Sequence, residues 1–346
     1  MKLNLYPFDL QLKHPFTISR ETITTQPTLI VELQDEGVAG YGEATANPYY
    51  GRNVAKMQEL LTRHQRKIET VTWEHPVELW QALCEDLGGD PFAQCALDQA
   101  AYDLWGKRQG KPVLELLGWT FDTPRPASNY TLGIDTLQKL EEKLAEYPDW
   151  PIYKIKLGTG NDLEILHHLR TLTDARFRVD ANGGWSVKEA QRVAPQLAEL
   201  GVELIEQPLH ANQIADMPQI RDCTTLPLIA DENCQVPTDV KRCAEAGFDG
   251  INIKLVKCGG LTPALEMMKE ARKLALKVMV GCMTESSVGI SAIAQILPGL
   301  DFVDMDGAVL LADDIANGVV LNRGTCVYPP GIFGTGVHEL RKERAL

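Results

Sequence analysis

Ile152-Tyr153-Lys154-Ile155-Lys156-Leu157-Gly158 is a short apolar strand that carries lysine on alternate positions, and its form recurs down the chain. RFRVDAN (176–182), VELIEQP (202–208), PLIADE (227–232) and GINIKL (250–255) are each a few apolar residues ending on ionisable ones. Lys154, Asp180, Glu206, Asp231 and Lys254 follow one another at steps of 26, 26, 25 and 23 residues. One strand, one helix and two short loops fill such an interval. NYTLG (129–133) precedes the series, and VMVGCM (278–283) and DFVDMD (301–306) complete it. Amphipathic runs at Thr136–Tyr147, Val187–Leu200, Pro237–Ala246 and Pro263–Ala275 separate the strands. Parallel strands alternating with helices, eight times over, imply closure into a (β/α)8-type barrel. A doubly wound open sheet is the second choice, but no GxGxxG turn is present.

Outside this series the pattern changes. Alternating strands at Leu3–Leu12 and Thr28–Gln34 and helical stretches at Val54–Glu69, Val77–Leu87 and Phe92–Gly110 give an α+β start. Pro124-Arg125-Pro126 marks a linker. The expected division is an α+β unit over 1–123, a barrel over 124–325 and a C-terminal segment, 326–346, returning to the first unit. With 346 residues, 44% hydrophobic, the chain is long enough for both cores. No apolar signal core and no 18-residue apolar run is present, which predicts neither secretion nor membrane insertion. Eight cysteines without a CxxC pair read as thiols of a reduced, cytoplasmic compartment. A net charge of −13 argues against nucleic acid as a partner. Seven scattered histidines, lacking HxH or HExxH spacing, disfavour a zinc hydrolase.

Side chains alternate faces along a strand, so Lys154 and Lys156 share the face turned into the barrel mouth. At a separation of about 6.6 Å, their repulsion is roughly 2.5 kcal/mol at an effective dielectric near 20. That is enough to lower one lysine pKa by about two and favour a general base. The plainer alternative is a pair of solvated edge lysines. Asp180, Glu206 and Asp231 end three consecutive strands, and three converging carboxylates call for a hard cation, Mg²⁺ above others. Any one of them could instead cap the following helix. Lys254 enters the mouth from strand six, opposite Lys156 on strand two. Two opposed bases flanking a metal site suit removal and return of a proton alpha to a carboxylate, through a metal-stabilised enolate. Lys154 then helps neutralise the substrate carboxylate. Asp304 and Asp306 point inward from strand eight, opposite the metal cluster. A ligand reaching them carries a cationic group, and an α-ammonium one residue beyond the reacting carbon describes a dipeptide. The alternative is a pair of rim acids satisfied by internal Lys or Arg.

KIK (154–156), DANGGW (180–185), EQP (206–208), ADE (230–232), NIKL (252–255), GCMTESS (281–287) and DMD (304–306) together resemble the enolase superfamily. The resemblance lies in its muconate-lactonizing subgroup, and within that in the dipeptide epimerases similar to L-Ala-D/L-Glu epimerase. It implies a modified TIM barrel of (β/α)7β form with an α+β capping domain, an isomerase activity, Mg²⁺ on Asp180, Glu206 and Asp231, and Lys156 and Lys254 as acid/base pair. It also implies that Asp304 and Asp306 hold the dipeptide ammonium and that Thr131 and the Cys282 segment touch substrate. The capping loops TISRETITTQ and ATANPYYGRN would line the side-chain pocket. There Arg20 either pairs with an acidic side chain or is an exposed turn residue, and Tyr49 and Tyr50 fit an apolar one. A muconate cycloisomerase or o-succinylbenzoate synthase is the alternative within the subgroup, and a silent ligand-binding barrel the alternative outside it. Similar proteins often self-associate, but the sequence offers no homo-oligomer interface to name.

Overall fold

A computed structural model describes residues 1–346. Its N-terminal part is an antiparallel sheet of three strands, β1 (Lys2–Ile18), β2 (Glu21–Asp35) and β3 (Val38–Thr45). The first two run past their expected ends because pairing resumes beyond a bulge, from Phe16 opposite Ile23 to Ile18 opposite Glu21. The third was not expected at all. Glu36 and Gly37, at φ of 50° and 84°, make the two-residue turn into it. Its glycines admit a helix directly onto the sheet, since a side chain at Gly42 would collide with the Ala96 carbonyl. That helix, Pro91–Gln109, is buried along most of its circumference. Asp90 starts it by accepting from the amides of Phe92 and Ala93, at 3.1 and 3.2 Å. The stretch expected as one helix from Val54 to Glu69 divides at His64, which leaves helical geometry between Val54–Arg63 and Gln65–Thr70.

Eight parallel strands then form the second sheet: β4 (Tyr130–Leu132), β5 (Ile152–Lys156), β6 (Arg176–Asp180), β7 (Val202–Glu206), β8 (Leu228–Ala230), β9 (Gly250–Ile253), β10 (Lys277–Gly281) and β11 (Phe302–Asp304). Each pairs with its sequence neighbours. A helix follows each of the first seven, and β11 leads only into a tight turn at Gly307–Leu310, which is the (β/α)7β arrangement. The helix expected over Val187–Leu200 stops at Val193 and continues as two tighter turns. Pro195 explains the break, because it has no N–H to continue the ladder.

β4 and β11 are the ends of the sheet and share no backbone ladder. Side chains close the gap. Arg178 donates to the Val303 carbonyl at 2.5 Å, Asn129 Nδ2 to Asp304 at 2.8 Å, and the Met305 amide to Ser128 Oγ at 3.0 Å. Lower in the barrel, Leu204, Ile229 and Met279 fill the interior, and charged residues occupy the layer above them. The C-terminal residues lie on the N-terminal unit, with the Thr335 amide on Asp103 at 2.8 Å and the Leu346 amide on the Pro7 carbonyl at 2.9 Å. No helix is long and apolar enough to cross a membrane.

Candidate active site

Strand register assembles the site. Lys156 stands beside Asp180, and Asp180 beside Glu206, at the C-terminal ends of β5, β6 and β7. Asp231 and Lys254 each fall one residue beyond their strands, β8 and β9. The turns that follow are shaped for this. Asn182 takes a φ of 46°, which asparagine tolerates, and Gln207 takes 37°. Gln207 is held there by its side chain, which accepts from the Asp231 amide at 3.0 Å and donates to Asn233 at 2.6 Å. The loops after β7 and β8 are thereby locked together.

Each of the three carboxylates has one oxygen fixed and one turned toward lysine. Asp180 Oδ1 accepts from the Asn182 amide at 2.8 Å, Glu206 Oε1 from Asn252 Nδ2 at 2.8 Å and Asp231 Oδ1 from Lys257 Nζ at 2.5 Å. Asp180 Oδ2 lies 2.6 Å from Lys156 and 3.1 Å from Lys154, with Asn182 Nδ2 farther off at 3.3 Å. Asp231 Oδ2 lies 3.0 Å from Lys254. Glu206 Oε2 is 2.7 Å from Lys154 but out of line for a hydrogen bond, so it is a buried acceptor without a donor. Asn182 Oδ1, Glu232 Oε2 and Asn252 Oδ1 are in the same condition around it. The ligand atoms of Asp180, Glu206 and Asp231 do not meet within 4.8 Å, as those of Cys282, Asp304 and Asp306 do. Lysines stand between them.

Lys154 is 1% exposed and lies under the cavity floor, where Asp304 is a third partner at 2.7 Å. Burial alone would lower its pKa, yet Asp304, Glu206 and Asp180 hold it well above the usual lysine range. Lys254 is likewise raised, burial being outweighed chiefly by Asp231. For Lys154 the lowering expected from repulsion by Lys156 is therefore corrected, because three carboxylates surround its ammonium. Among the acids, burial is outweighed by Lys156 and Lys154 at Asp180, whose pKa falls to about 2. Burial and Asp180 lift Glu206 to about 7.

Above this floor a cavity open to solvent lies between the two units. Lys156, Asp231, Lys254, Thr131, Cys282, Asp304 and Asp306 line it from the barrel side. Asp306 accepts from the Thr131 amide at 2.6 Å, and burial together with Asp304 pushes its pKa well up. Cys282 stays a thiol for the same reasons and accepts from the Gly307 amide at 3.3 Å. From the N-terminal unit come Phe16, Ile18, Arg20, Ile23 and Tyr50. Arg20 is paired with Glu232 at 2.8 Å, donates to the Asn182 carbonyl at 3.1 Å and stacks on Tyr49 with 4.2 Å to the ring centre. It is neither free nor simply exposed.

Sequence reading did not single out Glu232, Asn182 or Lys257. Glu232 is the second acid of ADE, and Lys257 sits three residues past Lys254, so a signal existed. What it lacked was the loop that turns each side chain inward.

Residues 3–118 match the mandelate racemase/muconate lactonizing enzyme N-terminal domain, and residues 136–343 the enolase C-terminal domain-like family. The chain belongs to the enolase superfamily. Within that superfamily it is 51% identical over 338 residues to the L-Ala-D/L-amino acid epimerase of Flavobacterium johnsoniae, covering 97% of this chain and 99% of the relative. A substrate-liganded L-Ala-D/L-Glu epimerase from Bacillus subtilis superposes with a TM-score of 0.91 at 26% identity, over 97% of this chain and 99% of the other. A dipeptide epimerase from Enterococcus faecalis, complexed with Mg and L-Leu-L-Tyr, gives 0.90 at 28% identity, over 98% and 99%. The enolase-type barrel and its antiparallel-sheet cap are thus the architecture of this superfamily member.

Proposed function

We propose that this protein is a Mg²⁺-dependent dipeptide epimerase that inverts the α-carbon of the C-terminal residue of Ala-Xaa dipeptides by 1,1-proton transfer between two lysines. The observation that carries this reading is the presence of Lys156 and Lys254 in one cavity that also presents Asp304 and Asp306. β5 and β9 are separated by three strands, so the two amines approach a molecule between them from different sides. Nζ of one lysine, neutral, takes the α-proton from one face. Nζ of the other, charged, returns a proton to the opposite face. Asp304 and Asp306 receive the free ammonium of the dipeptide, whose positive charge offsets the repulsion between the two carboxylates that raises Asp306. Thr131 and Cys282 flank this end.

Asp180, Glu206 and Asp231 are the residues that would hold the ion. Their fit rests on the inward oxygens: one per carboxylate faces only cations or weak donors, and Glu206 Oε2 has no hydrogen-bond donor at all. Bound Mg²⁺ supplies positive charge against the negative charge that grows on the substrate carboxylate as its α-proton leaves. Lys154, tied to Asp180, Glu206 and Asp304, spaces the ion site from the ammonium clamp. At the side-chain end, Arg20 already has Glu232 as its counter-ion, and Phe16, Ile18, Ile23 and Tyr50 share the wall with Glu21, Gln26 and Asn47. That wall favours uncharged side chains. The unit 1–123 covers the mouth of the 124–325 barrel, and 326–346 ties the two. Eight free thiols fit the cytoplasm as its compartment.

The test is a panel of Ala-Xaa dipeptides with Mg²⁺ in D₂O. Deuterium should enter the α-carbon of the C-terminal residue with loss of chirality, and N-acetylated counterparts should turn over poorly. No exchange with any dipeptide would overturn the assignment.

A further inference from the structure

Lys257 plays no part in the chemistry above. It is 2% exposed, lines no part of the cavity, and its Nζ meets four acceptors. These are Asp231 Oδ1 at 2.5 Å, the Asp231 carbonyl at 2.6 Å, the Cys234 carbonyl at 2.9 Å and the Asn252 carbonyl at 3.2 Å. An ammonium has three protons, so this one is saturated by protein. By holding both the carbonyl and the Oδ1 of one residue it fixes how the Asp231 carboxylate turns. Asn252 does the same to Glu206 Oε1, filling space that Gly281 leaves open.

We propose that Lys257, assisted by Asn252, makes the carboxylate site selective for Mg²⁺ over Ca²⁺ by withholding one oxygen of Asp231 and of Glu206 from the ion. The proposal rests on the reading of Asp180, Glu206 and Asp231 as the ion's ligands. Ca²⁺ takes six to eight oxygens at longer distance and often uses both oxygens of a carboxylate, whereas Mg²⁺ takes six single ones and retains water. A carboxylate with one oxygen bound to a buried ammonium offers only the other. Lys257 is a positioning residue for Asp231, and its effect falls on the ratio of two ions more than on the affinity for either.

The experiment titrates MgCl₂ and, separately, CaCl₂ into the full chain by calorimetry, for the native protein and for Lys257→Met. The variant frees Asp231 Oδ1, so the preference for Mg²⁺ over Ca²⁺ should fall at least about tenfold, the scale on which groups behind metal ligands act. A lysine that only supports the fold would weaken both ions together, and an unchanged ratio overturns the proposal alone. Binding of neither ion to the native chain overturns the carboxylate reading and the proposal with it. Asn252→Ala frees Glu206 Oε1 and is read by the same ratio if Lys257→Met does not fold. Loss of the fold in both variants would assign the two residues to the core and overturn the proposal.

Discussion

Arg20 is the residue on which substrate choice turns in the proposed reading. Its guanidinium reaches the cavity already paired with Glu232, whose carboxylate is 3% exposed, and its ring partner is Tyr49. Glu232→Gln removes that counter-ion and leaves the guanidinium in place. Turnover of Ala-Glu relative to Ala-Leu, compared as kcat/KM, should rise by about tenfold, equivalent to about 1.4 kcal/mol. A fall in that ratio would place Arg20 outside the side-chain pocket. At the other end, Asp304→Asn strips the proposed ammonium clamp of a charge that also faces Lys154. Loss of one partner from a buried charge pair is worth roughly 2–5 kcal/mol, so kcat/KM for free dipeptides should drop at least about thirtyfold, chiefly through KM. Unchanged KM would remove Asp304 from the clamp. The charged strand ends were legible in the sequence because a strand alternates faces and its last inward residue must meet the mouth. Arg20 with Glu232, and Lys257 with Asp231, were not, since each pairing joins separate loops or turns that periodicity does not relate.

Among elements, the helix Pro91–Gln109 does most to join the two units. Asp98, on this helix, accepts from the amide and hydroxyl of Thr262 at 2.9 and 2.8 Å, at the start of the barrel helix Leu261–Lys273. Glu43 on β3 does likewise for the helix Ser287–Ala294, accepting from the Ser286 hydroxyl at 2.5 Å and the Gly289 amide at 3.0 Å. Burial pushes the Asp98 carboxyl up to about 7, against the pull of its Thr262 bonds. The folded chain therefore keeps a proton that the unfolded chain has lost above about 3.9. Stability contributed here falls as pH rises from about 4 to about 7 and is level beyond. Asp98→Asn abolishes that slope, so the Tm of the variant minus that of the native protein should climb across this interval. A flat difference would mean that Asp98 is ionised throughout.

β3 shows where element-level reading failed. GYGEA is poor in strand formers, so no strand was read there, yet Gly40 and Gly42 are what bring sheet and helix into contact. Gly42→Ala should lower stability by about 2–3 kcal/mol or more, seen as a lower Tm, because the added methyl meets backbone. An unaltered Tm would deny the close approach.

At the scale of the molecule, cap and barrel share one hydrophobic core of 76 buried residues, and their border is also the cavity. The barrel was legible because eight strands of one form recur at one interval. The cap's grip on it was not, since that depends on Asp98, Glu43 and the C-terminal residues meeting partners far along the chain. A shared core predicts a single calorimetric unfolding transition, and two resolved transitions would contradict it. The central claim, two lysines acting on opposite faces of one carbon, is tested most directly by isotope exchange with Lys156→Ala and Lys254→Ala. Each variant is incubated in D₂O with Mg²⁺ and, separately, with the L,L and L,D forms of one Ala-Xaa dipeptide that the native protein epimerises. Neither variant should epimerise, and each should exchange the α-proton of one stereoisomer only, the two choosing opposite forms. Exchange of the same stereoisomer by both, or epimerisation by either, would contradict the account.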